Sequence, residues 1–295
     1  MRIFPQLLLI YLTTSICSAE SFRTSDGEIL NYASHGEGEK IVFLSGGPGF
    51  NAHSLKHWAD SLANNYTCIL FDQRGTGFSS NVKMDCTTIN LKTAIQDVDD
   101  LRKHLGEETI TICGFSWGGM LAQAYAGTYS EHLKKMILVS TLGPDLSLSN
   151  IFFQDNLPMR QYPAEKDSLQ FWNQQSTNPL SAFKQLYFST LPYFYDHEIG
   201  AQKLPGFLAT ISFNSTMANL MWQDLTINYD LKPKLTSYHK ACYIIRARQD
   251  PIPAEAVFQV KESLPQTEIL YIERCGHFPG LEQPNTFFSI LKEIL

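Results

Sequence analysis

Residues 109–119 read Thr-Ile-Thr-Ile-Cys-Gly-Phe-Ser-Trp-Gly-Gly, and this stretch decides the fold. Its β-branched beginning, 109–112, is typical of a buried strand. The run ends at Gly114-Phe115-Ser116-Trp117-Gly118, the G-x-S-x-G pattern of a sharp strand-to-helix turn, and a helix pattern follows at once. Such a turn exposes the serine hydroxyl, while its glycines let the strand and helix backbones pass close together. The stretch therefore predicts a nucleophilic Ser116; a glycine-rich turn with a bystander serine is the alternative.

The rest of the chain alternates strand and helix patterns on both sides of this turn. Apolar residues of 87–104 recur at helical spacing, whereas 66–72 and 241–248 have the composition of strands. Such alternation is typical of a mostly parallel sheet with helices on both faces. We therefore predict an α/β fold in which two edge strands at 21–36 precede the alternating part. Further strands are expected at 40–44, 136–140 and 268–273.

The alternation breaks after Thr141. Residues 146–236 are rich in aromatic side chains, Asn, Gln and Pro, and they show helical patches without strong strand patterns. We therefore expect one α/β domain, made of residues 20–145 and 237–295, that is interrupted by a mainly helical cap at 146–236.

The first 19 residues have the pattern of an export signal. Met1-Arg2 is followed by a largely apolar run to residue 16, and Cys17-Ser18-Ala19 offers small residues to a signal peptidase. We predict a signal peptide at 1–19, cleaved after Ala19, and hence an exported protein, periplasmic or secreted, without stable membrane association after cleavage. An uncleaved anchor and a lipoprotein acylated at Cys17 are the alternatives.

Charge and cysteine content exclude some classes of partner. The net charge of −6 argues against nucleic acid, because phosphate binding needs a basic surface. The mature chain keeps five cysteines, an odd number, so at least one thiol is free or pairs with another chain. Cys68 and Cys86 flank one loop and can pair. Histidines and cysteines lack metal-site spacing, so neither a metal nor a cofactor is expected, and the sequence leaves the oligomeric state undetermined.

Two further residues complete a catalytic set with Ser116. A serine hydroxyl is a weak nucleophile unless a base, usually histidine, takes its proton and an acid orients that base. Asp250 comes directly after one strand-like run, and His277 comes after the next. The carboxyl ends of parallel strands meet at one edge of a sheet, so all three residues are expected to converge. Asp145, after the preceding strand, is the competing acid.

An oxyanion site requires two N–H donors. One is expected from the backbone of Trp117, which follows the nucleophile, and the other from the loop after an early inner strand. That loop reads Gly46-Gly47-Pro48-Gly49, where glycines allow close backbone approach. We predict Gly47 as the second donor and Gly46 as a neighbouring substrate contact; an ordinary turn is the alternative.

Three motifs together resemble the proline iminopeptidases, a group of α/β-hydrolases. These are the glycine loop at 46–49, Asp72-Gln73-Arg74-Gly75-Thr76-Gly77-Phe78-Ser79, and the turn around Ser116, in that order. Cys275-Gly276-His277-Phe278 and Glu282-Gln283-Pro284 look like the wider group, so the resemblance spans about 25–145 and 240–295. The resemblance implies an α/β-hydrolase fold and an enzyme that releases N-terminal residues, preferably proline, from short peptides. It also implies that 72–77 is a structural loop bordering the site.

Two departures from that family bear on the substrate. The family often has His before its glycine loop, where this chain has Ser45. Iminopeptidases also use acidic cap residues to hold the free amino group of the substrate. Glu198 and Asp224 are the candidates for that role here, and solvated surface carboxylates are the plainer interpretation of both.

The predicted chemistry is acyl transfer through Ser116 without a cofactor, acting on a small molecule or a short peptide. An ester or lactone is the alternative substrate, because the same machinery cleaves either and selection lies in the cap. A third hypothesis is a non-catalytic binding protein with this fold, although such proteins usually lack a member of the catalytic set.

Overall fold

A central sheet of eight strands organises the chain in a computed structural model that describes residues 18–175 and 177–295. The strand order is β1-β2-β4-β3-β5-β6-β7-β8. β1 and β2 are antiparallel to their neighbours, and every other pair is parallel. The strands are β1 Ser18–Arg23, β2 Ile29–His35, β3 Glu39–Leu44, β4 Tyr66–Asp72, β5 Ile110–Phe115, β6 Leu133–Val139, β7 Ala241–Ala247 and β8 Glu268–Ile272.

Helices cover both faces of this sheet, which confirms the predicted α/β architecture. The helices outside the expected cap are α1 Lys56–Leu62, α2 Leu91–His104, α3 Trp117–Thr128, α10 Glu255–Ser263, α11 Pro279–Glu282 and α12 Pro284–Ile294. Those between β6 and β7 are α4 Leu157–Arg160, α5 Pro163–Asn173, α6 Ser181–Thr190, α7 His197–Leu208, α8 Ser215–Asn228 and α9 Lys232–Leu235. Short helical turns lie at Ala52–Leu55, Gly77–Ser79, Ser130–His132, Ile151–Asn156 and Leu191–Tyr193.

The inner strands are apolar along their whole length because helices cover both faces of the sheet. Val42 and Leu44 of β3 belong to one hydrophobic core, with α2 and α3, while Ile41 and Phe43 belong to the other, with α1 and α12. Successive strand side chains point to opposite faces, so a strand covered on both sides reads as a continuous apolar run. That is the pattern found at 41–44.

The expected cap contributes no strand in the part of the chain that the structure describes. Between β6 and β7 the secondary structure is helical, and the contacts with the rest of the sheet domain include isolated bridges of Phe50 with Phe213 and of Asp145 with Asp230. The chain therefore leaves the sheet after β6 and returns to it at β7, the neighbouring strand.

The described cysteines are all unpaired. Cys68 is buried and Cys86 is exposed, so the pairing that their positions allow is not formed in this structure. Burial raises the pKa of Cys68 and of Cys242 to about 12, which keeps both as unreactive thiols that pack like small apolar side chains.

Most of the predicted signal peptide, residues 1–17, lies outside the described residues, whereas Ala19 belongs to β1. No helix within 18–175 or 177–295 is long and apolar enough to cross a membrane.

Candidate active site

Ser116 occupies the sharp turn between β5 and α3. Its backbone has φ 52° and ψ −116°, a conformation that a non-glycine residue adopts only at a cost and that is found preferentially at functional sites. The Ser116 N–H donates to the carbonyl of Val139 on β6, over 2.8 Å, which fixes the turn to the neighbouring strand. The rigid sheet thus holds the serine at the start of a helix, where the partial positive charge of α3 favours a developing anion.

The two glycines of the turn are required by close packing. A Cβ atom added to Gly118 would lie 2.0 Å from the carbonyl oxygen of Leu44, and one added to Gly114 would lie 2.3 Å from that of Gly118. Both distances are far below van der Waals contact, so only glycine lets α3 start this close to β3 and β5.

His277 and Asp250 form a buried hydrogen-bonded pair at the carboxyl ends of β7 and β8. His277 Nδ1 donates to Asp250 Oδ1 over 3.0 Å, since an ionised carboxylate can only accept. Fixing the proton on Nδ1 leaves Nε2 as an acceptor, which is the state that a general base requires. His277 and Ser116 line the same cavity, so the structure brings together the three residues that the sequence singled out.

The surroundings of Asp250 keep it charged. Burial by itself would raise its pKa, but the charges of His277 and Arg246 lower the pKa to about 2. Oδ1 also accepts the N–H of Ile252 over 3.0 Å, and Oδ2 faces the Arg246 guanidinium at 3.7 Å. Asp145, the competing acid, instead pairs with Lys232 and accepts the Ser147 N–H over 2.8 Å.

Two backbone N–H groups are available beside Ser116. Gly47 and Trp117 both line the cavity, and in the described part of the chain neither N–H has a hydrogen-bond acceptor. Gly46, predicted as a substrate contact, is buried and does not line the cavity; it packs behind the nucleophile, since a Cβ atom added to it would lie 3.3 Å from that of Ser116. The arrangement is compatible with the predicted oxyanion site.

Gln73 links the two segments that carry these donors, a role that the sequence did not indicate. Its buried amide donates to the carbonyl of Ser45, just before the glycine loop, over 3.0 Å. Its Oε1 accepts the indole N–H of Trp117 over 2.7 Å. Ser45, at the departure from the family pattern, donates its hydroxyl to the carbonyl of Phe50 over 2.8 Å and thereby closes the glycine loop.

The cavity over Ser116 has a volume of about 330 Å³ and is mostly apolar. Cap aromatics, among them Phe152, Tyr193 and Trp222, form much of its wall. Among the residues that the structure describes, no Asp, Glu, Lys or Arg lines it; the polar side chains facing it include Ser189, Thr190 and Asn219. An ionic group of a ligand would therefore find no side chain of fixed opposite charge at the wall.

The structure does not bring the two predicted cap carboxylates to this cavity, and that prediction needs correction. Asp224 accepts the N–H of Leu91 over 2.8 Å and the side-chain amide of Asn228 over 2.7 Å, so it fastens the start of α2 to α8. Glu198 is exposed in the first turn of α7, where a carboxylate interacts favourably with the helix dipole. The plainer interpretation of a solvated surface carboxylate applies to Glu198, whereas Asp224 is a half-buried carboxylate with a structural role.

Residues 18–175 and 177–295 contain no group of three or more His, Cys, Asp or Glu side chains that could hold a metal ion. The groups at the site are a hydroxyl on a strained turn, an imidazole hydrogen-bonded to a carboxylate, and two backbone N–H groups without an acceptor in the described part of the chain.

The chain belongs to the α/β hydrolases. The sequence profile of the alpha/beta hydrolase fold matches residues 40–284. The chain is similar to the proline iminopeptidase of Heyndrickxia coagulans, with 25% identity over 88% of this chain and 92% of that enzyme. It is also 29% identical to the cis-3-alkyl-4-alkyloxetan-2-one decarboxylase of Shewanella oneidensis, over 44% of this chain and 41% of that enzyme. An alpha/beta fold family hydrolase from Bacillus anthracis str. Sterne superimposes with a TM-score of 0.78 at 20% identity, over 95% and 99% of the two chains.

Proposed function

We propose that this α/β hydrolase is a serine hydrolase that works through an acyl-enzyme. Ser116 Oγ attacks a carbonyl carbon while His277 Nε2 accepts its proton, and the oxyanion is held by the N–H groups of Gly47 and Trp117. The intermediate collapses as His277 returns the proton to the leaving group. Water then attacks the acyl-enzyme, His277 again serves as base and then acid, and Ser116 is released with a carboxylic acid.

The observation that supports this mechanism is the hydrogen bond of 3.0 Å between His277 and Asp250, with His277 lining the same cavity as Ser116. An oriented imidazole beside a serine on a strained turn has a clear chemical use in activating that serine. A merely structural serine requires neither feature.

For the substrate, the cavity favours an uncharged acyl group. A free amino terminus carries a positive charge at neutral pH, and placing it against apolar walls without a carboxylate costs several kcal/mol. An ester or lactone has no such charge. The similarity to an enzyme named for an oxetan-2-one, which is a small cyclic ester, supports the same choice.

Release of an N-terminal residue is the second candidate. It is favoured by the similarity to the proline iminopeptidase of H. coagulans, which extends over nearly the whole of both chains. The two candidates differ in one physical property, namely whether the group next to the scissile carbonyl is charged.

A matched pair of amides separates them. Pro-β-naphthylamide and cyclopentanecarbonyl-β-naphthylamide share a leaving group and nearly the same shape, but only the first carries an ammonium. We expect kcat/KM to be at least about 10-fold higher for the neutral amide, since 1.4 kcal/mol of unfavourable burial already has this effect. Short p-nitrophenyl esters should be hydrolysed as well. A 10-fold preference for the prolyl amide would support the aminopeptidase instead, and no cleavage of the esters would contradict the ester candidate.

We also propose that the protein is exported after cleavage following Ala19. The new N-terminus would start at Glu20, whose carboxylate accepts the Tyr32 hydroxyl over 2.7 Å, so residues 20–23 of β1 keep their pairing with β2. N-terminal sequencing of the protein recovered outside the cytoplasm should read Glu-Ser-Phe-Arg. An intact Met1 would contradict cleavage, and an acylated Cys17 would identify a lipoprotein.

A further inference from the structure

The loop that carries His277 is joined directly to the cap. The backbone N–H of His277 donates to the carbonyl of Tyr193, over 2.8 Å. Contact is so close that a Cβ atom added to Gly276 would lie 2.4 Å from that carbonyl oxygen and 2.5 Å from the Tyr195 nitrogen. Residues 193–195 of the cap therefore lie against the backbone of the catalytic loop without an intervening side chain.

Glu282, at the end of α11, strengthens this contact between the His277 loop and cap residues 193–195. Its buried carboxylate accepts the N–H of Gly276 over 3.0 Å and that of Phe278 over 3.1 Å, the two residues that flank His277. The same carboxylate accepts the N–H of Tyr195 over 2.8 Å. One side chain thus binds both the catalytic loop and the cap segment, and charge-assisted bonds of this kind are stronger than neutral ones.

Arg160 of α4 links the same cap segment to the loop that carries Asp250. Its guanidinium donates to the carbonyl of Phe194 over 2.9 Å and also to the carbonyl of Gln249, the residue before Asp250. The side chain of Gln249 in turn accepts the N–H of Cys275 over 3.0 Å. The loops of Asp250 and His277 are therefore connected to each other and to the same three cap residues.

We propose that Glu282 is a positioning residue, which holds the His277 loop against cap residues 193–195. The orientation of the base therefore depends on the position of the cap relative to that loop. This inference rests on the proposed serine-hydrolase function. Glu282 does not line the cavity and touches no reacting atom. Its effect is on geometry, where a displacement of about 1 Å can lower a rate by about 100-fold.

Glu282→Gln tests this role with the full-length protein and p-nitrophenyl butyrate. The amide places an NH2 group against N–H donors and cannot hold all of them. We expect kcat per active site, titrated with a fluorophosphonate, to fall about 10- to 100-fold while KM stays within about threefold. Assays at pH 8.5 keep the carboxylate of the wild type ionised, because burial raises the pKa of Glu282 to about 7.

Asp100→Asn is the matched control. Asp100 is also buried, and its carboxylate accepts the N–H of Ser25 over 2.7 Å, which joins α2 to the loop after β1 without involving the catalytic loops. We expect this variant to lower the melting temperature and to keep kcat within about twofold. A Glu282→Gln enzyme with kcat within twofold of the wild type would overturn the proposal, as would an equal loss in both variants.

Arg160→Lys provides an independent variant if Glu282→Gln does not fold. Lysine cannot span the carbonyls of Gln249 and Phe194, so kcat should fall about 10-fold at similar KM. In the double variant the losses should be less than multiplicative, because both residues act on one junction. Unchanged kcat in Arg160→Lys, or fully multiplicative losses, contradicts the coupling. A wild type without Ser116-dependent turnover would instead refute the serine hydrolase itself.

Discussion

Ser116→Ala is expected to lower kcat/KM for p-nitrophenyl butyrate by about 10⁶-fold, to the background rate, because no other group can form the acyl-enzyme. Folding should be nearly unaffected. In the described part of the chain the Ser116 hydroxyl makes no hydrogen bond, so its removal leaves no protein partner unsatisfied. The free energy of unfolding, measured in urea, should stay within about 0.5 kcal/mol of the wild type.

Ser189→Ala is the matched control for that experiment. Ser189 lines the same cavity, but its hydroxyl donates to the carbonyl of Leu186 at the end of α6 and it lies on no strained turn. A fluorophosphonate probe should label the wild type and the Ser189 variant and should fail to label the Ser116 variant. Folded wild type that resists the probe would favour a non-catalytic binding protein, and full activity of Ser116→Ala would refute the assignment.

The sheet and the catalytic set were accessible from sequence because their signals are local. A β-branched run, two glycines and a helix pattern surround Ser116 within eleven residues, and the chemistry of the turn follows from them. Asp250 and His277 each follow a recognisable strand, and parallel strands bring their carboxyl ends to one edge of the sheet. The observed hydrogen bond between the two side chains agrees with that expectation.

The cavity wall could not be predicted, because it depends on contacts between distant parts of the chain. Asp224 lies in the cap segment and has the carboxylate that an amine-binding residue needs. Its side chain instead accepts the N–H of Leu91, which lies 133 residues earlier in the sequence. Glu282 belongs to a recognisable Glu-Gln-Pro motif, but only the packed structure shows that its carboxylate bridges two segments. Helix patterns in the cap indicate that helices form, not which side chains turn towards Ser116.

Asp250→Asn should lower kcat by about 10⁴-fold with little change in KM. The amide can donate to Nδ1 of His277, which favours the tautomer that cannot accept the proton of Ser116. It also removes the charge that would stabilise the imidazolium and leaves the buried Arg246 without its counter-charge. Steady-state kinetics on p-nitrophenyl butyrate measure the loss.

Asp145→Asn separates this role from that of the competing acid. Asp145 also follows a sheet strand, but its contacts are with Lys232 and Ser147, so kcat should stay within about threefold of the wild type. If Asp145→Asn lost activity and Asp250→Asn kept it, the assignment of the acid would be wrong.

The pH dependence of the free energy of unfolding tests the role of Asp250 independently. The pKa of Asp250 falls from its ordinary value of 3.8 to about 2 in the folded protein. A carboxyl with a lowered pKa contributes stability above pH 4, and this contribution is lost as the pH falls towards 2. The wild type should therefore lose more free energy of unfolding than Asp250→Asn between pH 4 and pH 2. If urea titrations gave equal losses of the free energy of unfolding for both proteins, His277 and Arg246 would not hold the carboxylate of Asp250 in its charged form. The proposed orientation of the base would then lack its electrostatic support.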